Sequence, residues 1–140
     1  MSPAPIVFKT THRIKFSQLD PYHHMSTEHY GAYFIEHRMT GLRENIGWDL
    51  KTLGTLPFAI WVKRMEIDYR RPAGDQEIAI TSFVREFRGA EAHIECDMVD
   101  SDGKNFSHCL MIVACVDKKT MRPMDWPTET MALFFEKGTA

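Results

Sequence analysis

Thr11-His12-Arg13-Ile14-Lys15-Phe16-Ser17-Gln18-Leu19-Asp20-Pro21 runs at one period, and Thr27-Glu28-His29-Tyr30-Gly31-Ala32-Tyr33-Phe34-Ile35, a few residues on, begins another. In the first, His12, Ile14, Phe16 and Gln18 alternate with Arg13, Lys15, Ser17 and Leu19, the period of two that predicts a strand over 11–19. Asp20-Pro21 ends it, because the residue before proline is forced extended and proline has no N–H to give a ladder. In the second, Ser26 or Thr27 caps a helix, Glu28 suits its positive end, and Ile35, Met39, Leu42 and Ile46 recur at helical spacing up to Gly47, which suits a left-handed cap. A helix from Thr27 to Ile46 is about 30 Å long at 1.5 Å per residue. Its apolar and small residues between Tyr30 and Ile35 predict burial on more than one side. Gly31 and Gly41 each weaken it by up to about 1 kcal/mol while permitting close approach of a neighbour.

Working outward, Trp48 to Pro57 reads as a connector, after which β-rich or alternating patterns predict strands over 58–70, 77–87, 92–100 and 107–117. The separators Pro72-Ala73-Gly74-Asp75, Arg88-Gly89-Ala90 and Asp100-Ser101-Asp102-Gly103 are turn chemistry, which predicts consecutive antiparallel neighbours. A short helix follows Pro127, over about 128–136, capped by Thr128 and carrying Leu133, Phe134 and Phe135. The expected whole is one α+β domain over 1–140 with its core at about 11–126, in which about five antiparallel strands wrap one long helix. An open sheet edge predicts a homo-oligomer, a dimer or tetramer in which edge strands pair.

Composition narrows the function. The chain has 140 residues, 44% of them hydrophobic, a formal net charge of -2, and no basic stretch, which argues against a nucleic-acid partner. No apolar run approaches the roughly 18–20 residues that span a bilayer, and Met1 to Lys9 does not read as a signal segment, so a cytoplasmic protein without membrane insertion is expected. Cys96, Cys109 and Cys115 sit in apolar segments and read as reduced core residues. His23, His24 and His29 cluster without the spacing of a zinc site, so no metal and no cofactor are expected.

The segment from Phe16 to Tyr30, in which Asp20-Pro21-Tyr22-His23-His24-Met25-Ser26-Thr27 joins strand to helix, resembles the first signature of the hot-dog acyl-CoA thioesterases. It is similar to their 4-hydroxybenzoyl-CoA and YbgC-like branch. Arg64 to Asp75, Asp100 to Lys104 and Met111 to Asp117 extend the resemblance over about residues 12–126. The resemblance implies hydrolysis of an acyl thioester to free acid and thiol, with Asp20 as the catalytic carboxylate and His24 as the loop histidine beside it. It departs from the branch at His23-His24-Met25-Ser26-Thr27, where Gly-His-Val-Asn-Asn is frequent: a ring replaces a permissive glycine, and hydroxyls replace amides.

A carboxylate at that junction is equipped to activate water as general base or to attack the carbonyl as nucleophile. The oxyanion then formed would meet backbone N–H groups of the helix start, for which Met25, Ser26 and Thr27 are the candidates. Tyr30, Tyr33, Phe58, Ile60 and Met65 are expected to contact the acyl group, with Arg70, Arg71, Arg85, Arg88, Lys118 and Lys119 as cations for the phosphates of CoA. Glu28 and Glu36 are alternative helix carboxylates. The substrate carrier is CoA or an acyl carrier protein. The competing readings are an enoyl-CoA hydratase or dehydratase pairing Asp20 with His24 or His29, and a non-catalytic acyl-thioester binder.

Overall fold

A computed structural model describes residues 3–137. Five strands form one antiparallel sheet: β1 (Phe8–Arg13), β2 (Phe58–Tyr69), β3 (Glu77–Arg88), β4 (Glu91–Val99) and β5 (Asn105–Asp117), in the order β1-β3-β4-β5-β2. The long helix runs without interruption from a tight turn at Thr27–His29, through α1 (Tyr30–Gly41), into a wider π turn at Leu42–Ile46. Gly47 ends it at φ 82°, its N–H donating to the Leu42 carbonyl, the left-handed stop read from the sequence. Two short helices, α2 (Leu50–Thr55) and α3 (Thr128–Ala132), flank the sheet.

Three expectations are corrected. The first strand lies earlier than 11–19. It pairs with β3 from Phe8↔Ser82 to Arg13↔Glu77, and β3 begins at Glu77, so beyond Arg13 there is no strand left to pair with. The chain instead coils into a single turn at Phe16–Gln18, leaving Phe16 79% exposed. Secondly, β2 and β3 are not neighbours, since β2 pairs with β5 and the 72–75 segment is a crossover between separate parts of the sheet. Turn chemistry marks a change of direction but does not choose the pairing partner. Thirdly, the connector after Trp48 contains α2, with Asp49 accepting from the Thr52 N–H as its cap, while the last helix stops at Ala132 with Pro127, not Thr128, at its cap position.

The helix buries one face rather than several. Tyr30, Tyr33, Phe34, His37, Arg38, Gly41 and Leu42 form that face at i, i+3, i+4 spacing, whereas Ile35 is 42% exposed. Two of the buried residues are ionisable. His37 Nδ1 lies 2.7 Å from Thr10 Oγ1 and its Nε2 lies 2.6 Å from Ser82 Oγ, which also accepts from Arg38 Nη1 at 2.9 Å. The chain of bonds is self-consistent with a neutral ring: Arg38 donates to Ser82, Ser82 to His37, His37 to Thr10, and Thr10 to His12 Nε2. The Arg38 guanidinium also stands 4.4 Å over the Phe8 ring. That same ring fills the space left by Gly41, where an added Cβ would lie 2.3 Å from Phe8 Cδ2.

The three cysteines are free and buried, and Cys96 and Cys109 are direct cross-strand partners. Hydrogen bonding to Cys109, with burial, pushes the Cys96 thiol up, and burial pushes Cys115 up to about 11. Neither is a thiolate nucleophile at neutral pH.

Candidate active site

The loop before the helix is built from main-chain bonds. Asp20 N–H donates to the His24 carbonyl at 2.8 Å, His23 N–H donates back to the Asp20 carbonyl at 3.0 Å, and Leu19 bridges Met25. The crossover holds the loop from the other side: Met25 N–H donates to Ala73 O at 2.7 Å, His24 bridges Gly74, and Ala73 N–H donates to the Tyr30 hydroxyl at 3.2 Å. Within this frame Asp20 Oδ1 accepts the N–H groups of Tyr22 (2.8 Å) and His24 (3.1 Å). Its other oxygen, Oδ2, has no hydrogen-bond partner among the described residues. His23 takes φ 63°, the left-handed conformation for which a glycine would be the unstrained choice.

Of the three oxyanion candidates, two are engaged. Met25 N–H is bonded to Ala73 O and Ser26 N–H to Gln18 O, so neither points at a ligand. Thr27 N–H, and with it Glu28 N–H, has no acceptor among the described residues, as the first turn of a helix dictates. The side chain of His24 is exposed, and it reaches Asp20 only through its own backbone.

The other predicted residues fall into three groups. Tyr30 is buried, holding Ala73 and edge-on to Tyr69, and the Tyr33 hydroxyl donates to Gln18 Oε1 and so braces the loop. Met65 packs near Gly31. Phe58 and Ile60 do line a cavity, described below, whereas Tyr33 and Met65 do not. Among the cations, Arg71 is held by Asp100 at 2.7 Å and stacked 4.3 Å over Phe106, and its bond keeps the Asp100 carboxyl below the usual range. Arg85 and Arg88 both reach Glu86, and Lys118 donates to the Gly54 carbonyl. Arg70 is exposed and has no ion pair among the described residues. Glu28 is exposed beside His29, and Glu36 lies on the surface near His12. No group of three or more His, Cys, Asp or Glu among the described residues is arranged to hold a metal ion.

A cavity of about 360 Å³ lies between the C-terminal half of α1 and strands β2 to β5. Its rim includes exposed Ile35 and Val62 together with Gly54 and Lys118, and its depth is formed by buried Phe58, Val84, Ile94, Met111, Trp126 and Phe134. Arg38 and Lys118 are the ionisable residues lining it, and no carboxylate does. No residue of the Asp20 loop touches this cavity. Sequence reasoning found Phe58 and Ile60 but missed Arg38 and the aromatic closure, because both depend on which helix face turns inward.

The family pattern described as the Thioesterase-like superfamily matches residues 14–134. The chain belongs to this superfamily. This thioesterase-like chain is 25% identical over 118 residues to the long-chain acyl-CoA thioesterase FadM of Escherichia coli strain K12, a span covering 83% of it and 88% of that protein. Among solved structures it resembles the hypothetical protein SAV2348 of Staphylococcus aureus in complex with CoA, with a TM-score of 0.82 at 14% identity, covering 100% of this chain and 92% of the other. It also resembles Slr0204, a 1,4-dihydroxy-2-naphthoyl-CoA thioesterase of Synechocystis, with a TM-score of 0.80 at 10% identity over 91% and 95% of the two chains. The hot-dog architecture expected from the sequence is the one the thioesterase-like chain adopts.

Proposed function

We propose that this chain hydrolyses acyl-CoA thioesters with Asp20 as the catalytic carboxylate. The observation that carries the reading is an acid with one oxygen pinned by two backbone N–H groups and the other without a partner among the described residues, set just before a helix start whose Thr27 and Glu28 N–H groups have no acceptor among them either. In the general-base route Asp20 takes a proton as water adds to the thioester carbonyl. The developing oxyanion is met by the helix-start N–H groups, and collapse breaks the C–S bond while Asp20 returns the proton to the leaving thiolate. In the nucleophilic route Asp20 forms a mixed anhydride that water then cleaves. His24, Arg70 and Lys119 are exposed, and in this reading they serve as outer contacts for the carrier; the 4-hydroxybenzoyl-CoA and YbgC-like branch rests on the sequence resemblance of Phe16 to Tyr30.

The cavity is the acyl pocket in this reading. Its volume lies at the small end of the roughly 300–1,000 Å³ usual for ligand sites, enough for an acyl tail with the nucleotide left outside. FadM is a long-chain acyl-CoA thioesterase and the S. aureus protein of the same fold was solved with CoA, which favours CoA over an acyl carrier protein. Because the Asp20 loop does not border the pocket of its own chain, the reading is completed by a homodimer in which β2 strands pair edge to edge and bring loop and pocket together. Two such dimers packing together would give a tetramer. No helix among the described residues is long and apolar enough to cross a membrane, in keeping with a cytoplasmic setting.

The test is turnover of a panel of acyl-CoA and acyl-carrier-protein thioesters. Asp20→Asn is expected to lose roughly 10²- to 10⁴-fold in kcat while circular dichroism and melting stay unchanged. Turnover equal to the parent would falsify the role of Asp20. Incubation with an enoyl-CoA is expected to give no hydration product.

A further inference from the structure

We infer that Trp126 and Phe134 form the end stop of the acyl pocket and set the length of chain it accepts; the inference rests on the acyl-pocket reading above. Most of the cavity wall comes from α1, α2 and β2 to β5. Its far end is different: it is closed by two rings from the irregular chain after β5. The rim residues Ile35 and Val62 are 42% and 48% exposed, whereas Trp126 and Phe134, like Phe58, Ile94 and Met111, are buried; a chain entering past Ile35 and Val62 meets these two rings as the part of the wall supplied from outside the helices and the sheet.

Behind the cavity face, the stop is braced by other aromatic rings and by main-chain bonds. Trp126 packs edge-on against Phe58 at 5.8 Å and Phe87 at 5.4 Å, and its indole N–H donates to the Ala90 carbonyl at 2.8 Å. Phe134 meets Trp48 at 5.8 Å, Phe87 at 5.9 Å and Phe8 at 6.5 Å, and its own carbonyl accepts from Ile6 N–H at 2.9 Å. Phe8 in turn lies against Gly41, which places Phe134 at the C-terminal end of α1. A methylene beyond the stop must displace a locked ring, and a methylene short of it leaves apolar wall uncovered. Chain length is therefore read by contact, where each methylene is worth about tenfold or more in kcat/KM.

The test is the kcat/KM profile of the full-length protein over saturated acyl-CoAs of increasing length, with Phe134→Ala, Phe134→Leu and, in the opposite sense, Ala92→Leu, which adds bulk to the wall. Phe134→Ala is expected to move the optimum to longer chains, raising those the parent rejects by about tenfold or more. Phe134→Leu moves it less and serves where the alanine variant does not fold; Ala92→Leu moves it to shorter chains. Profiles that keep the parent's shape, scaled by one factor at every length, overturn the inference while leaving hydrolysis intact. A parent protein inactive on every length instead overturns the thioesterase reading beneath it.

Discussion

His37 is buried with both ring nitrogens engaged, its neighbours being Thr10, Ser82, the Arg38 cation and His12. Burial, then the charge of Arg38, drives its pKa from 6.5 down to about 3. The folded ring thus stays neutral where the unfolded one takes a proton. Between about pH 6.5 and 3 the unfolded chain binds more protons, so stability is fully present above that window and falls as the pH drops through it; at pH 5 the cost is about 2 kcal/mol. His12, whose pKa is also lowered by burial, adds in the same direction. Urea unfolding at pH 7 and pH 5 should show this loss in the parent and a shallower dependence in His37→Asn; equal slopes would refute it. This residue was not legible in the sequence. Nothing in Glu36-His37-Arg38 says which side chains turn inward, since charged residues on a helix ordinarily face water. The turn holding Asp20 was legible because a residue before proline and a helix start act locally, and its proposed role came from the resemblance alone, whereas the blocking of the Met25 and Ser26 N–H groups depends on partners as far away as Ala73.

At the scale of one element, the two glycines of the helix make opposite demands. A methyl at Gly41 would overlap the Phe8 ring, and Phe8 is itself held beneath Arg38 and against Phe134. At Gly31 the nearest atoms to an added Cβ are side-chain carbons of Ile67 at 3.7 Å and Met65 at 3.8 Å, ordinary contacts. Gly41→Ala is accordingly expected to lose about 1–3 kcal/mol through overpacking. Gly31→Ala should gain up to about 1 kcal/mol in helix propensity. Denaturant midpoints of the two variants moving in the same direction would contradict this. The sequence showed that both glycines loosen the helix and allow close approach; only the tertiary structure shows that one of them is used, and by a side chain. The helix itself was legible almost to the residue, from Thr27 to the Gly47 stop, because its signals are local.

For the whole molecule, the four later strands were legible and their order only in part: β3, β4 and β5 pair consecutively as expected, while β2 does not lie beside β3. Pairing β2 with β5 is a long-range choice, made by covering the helix, and it leaves β2 with an open edge where Trp61 and Val62 are 49% and 48% exposed. The proposed dimer closes that edge. Light scattering should give the mass of at least two chains, and Val62→Asp should shift it toward one chain with loss of turnover. A parent that is monomeric and fully active would end the shared-site reading. The Asp20 loop itself, stitched by Met25 to Ala73, Ser26 to Gln18 and Asp20 to His24, owes its contour to amides and carbonyls that every residue type carries except proline, which lacks the N–H. Most of its lettering is therefore open to substitution while its outline persists. The exception is position 23, where a φ of 63° would suit glycine and a histidine stands instead.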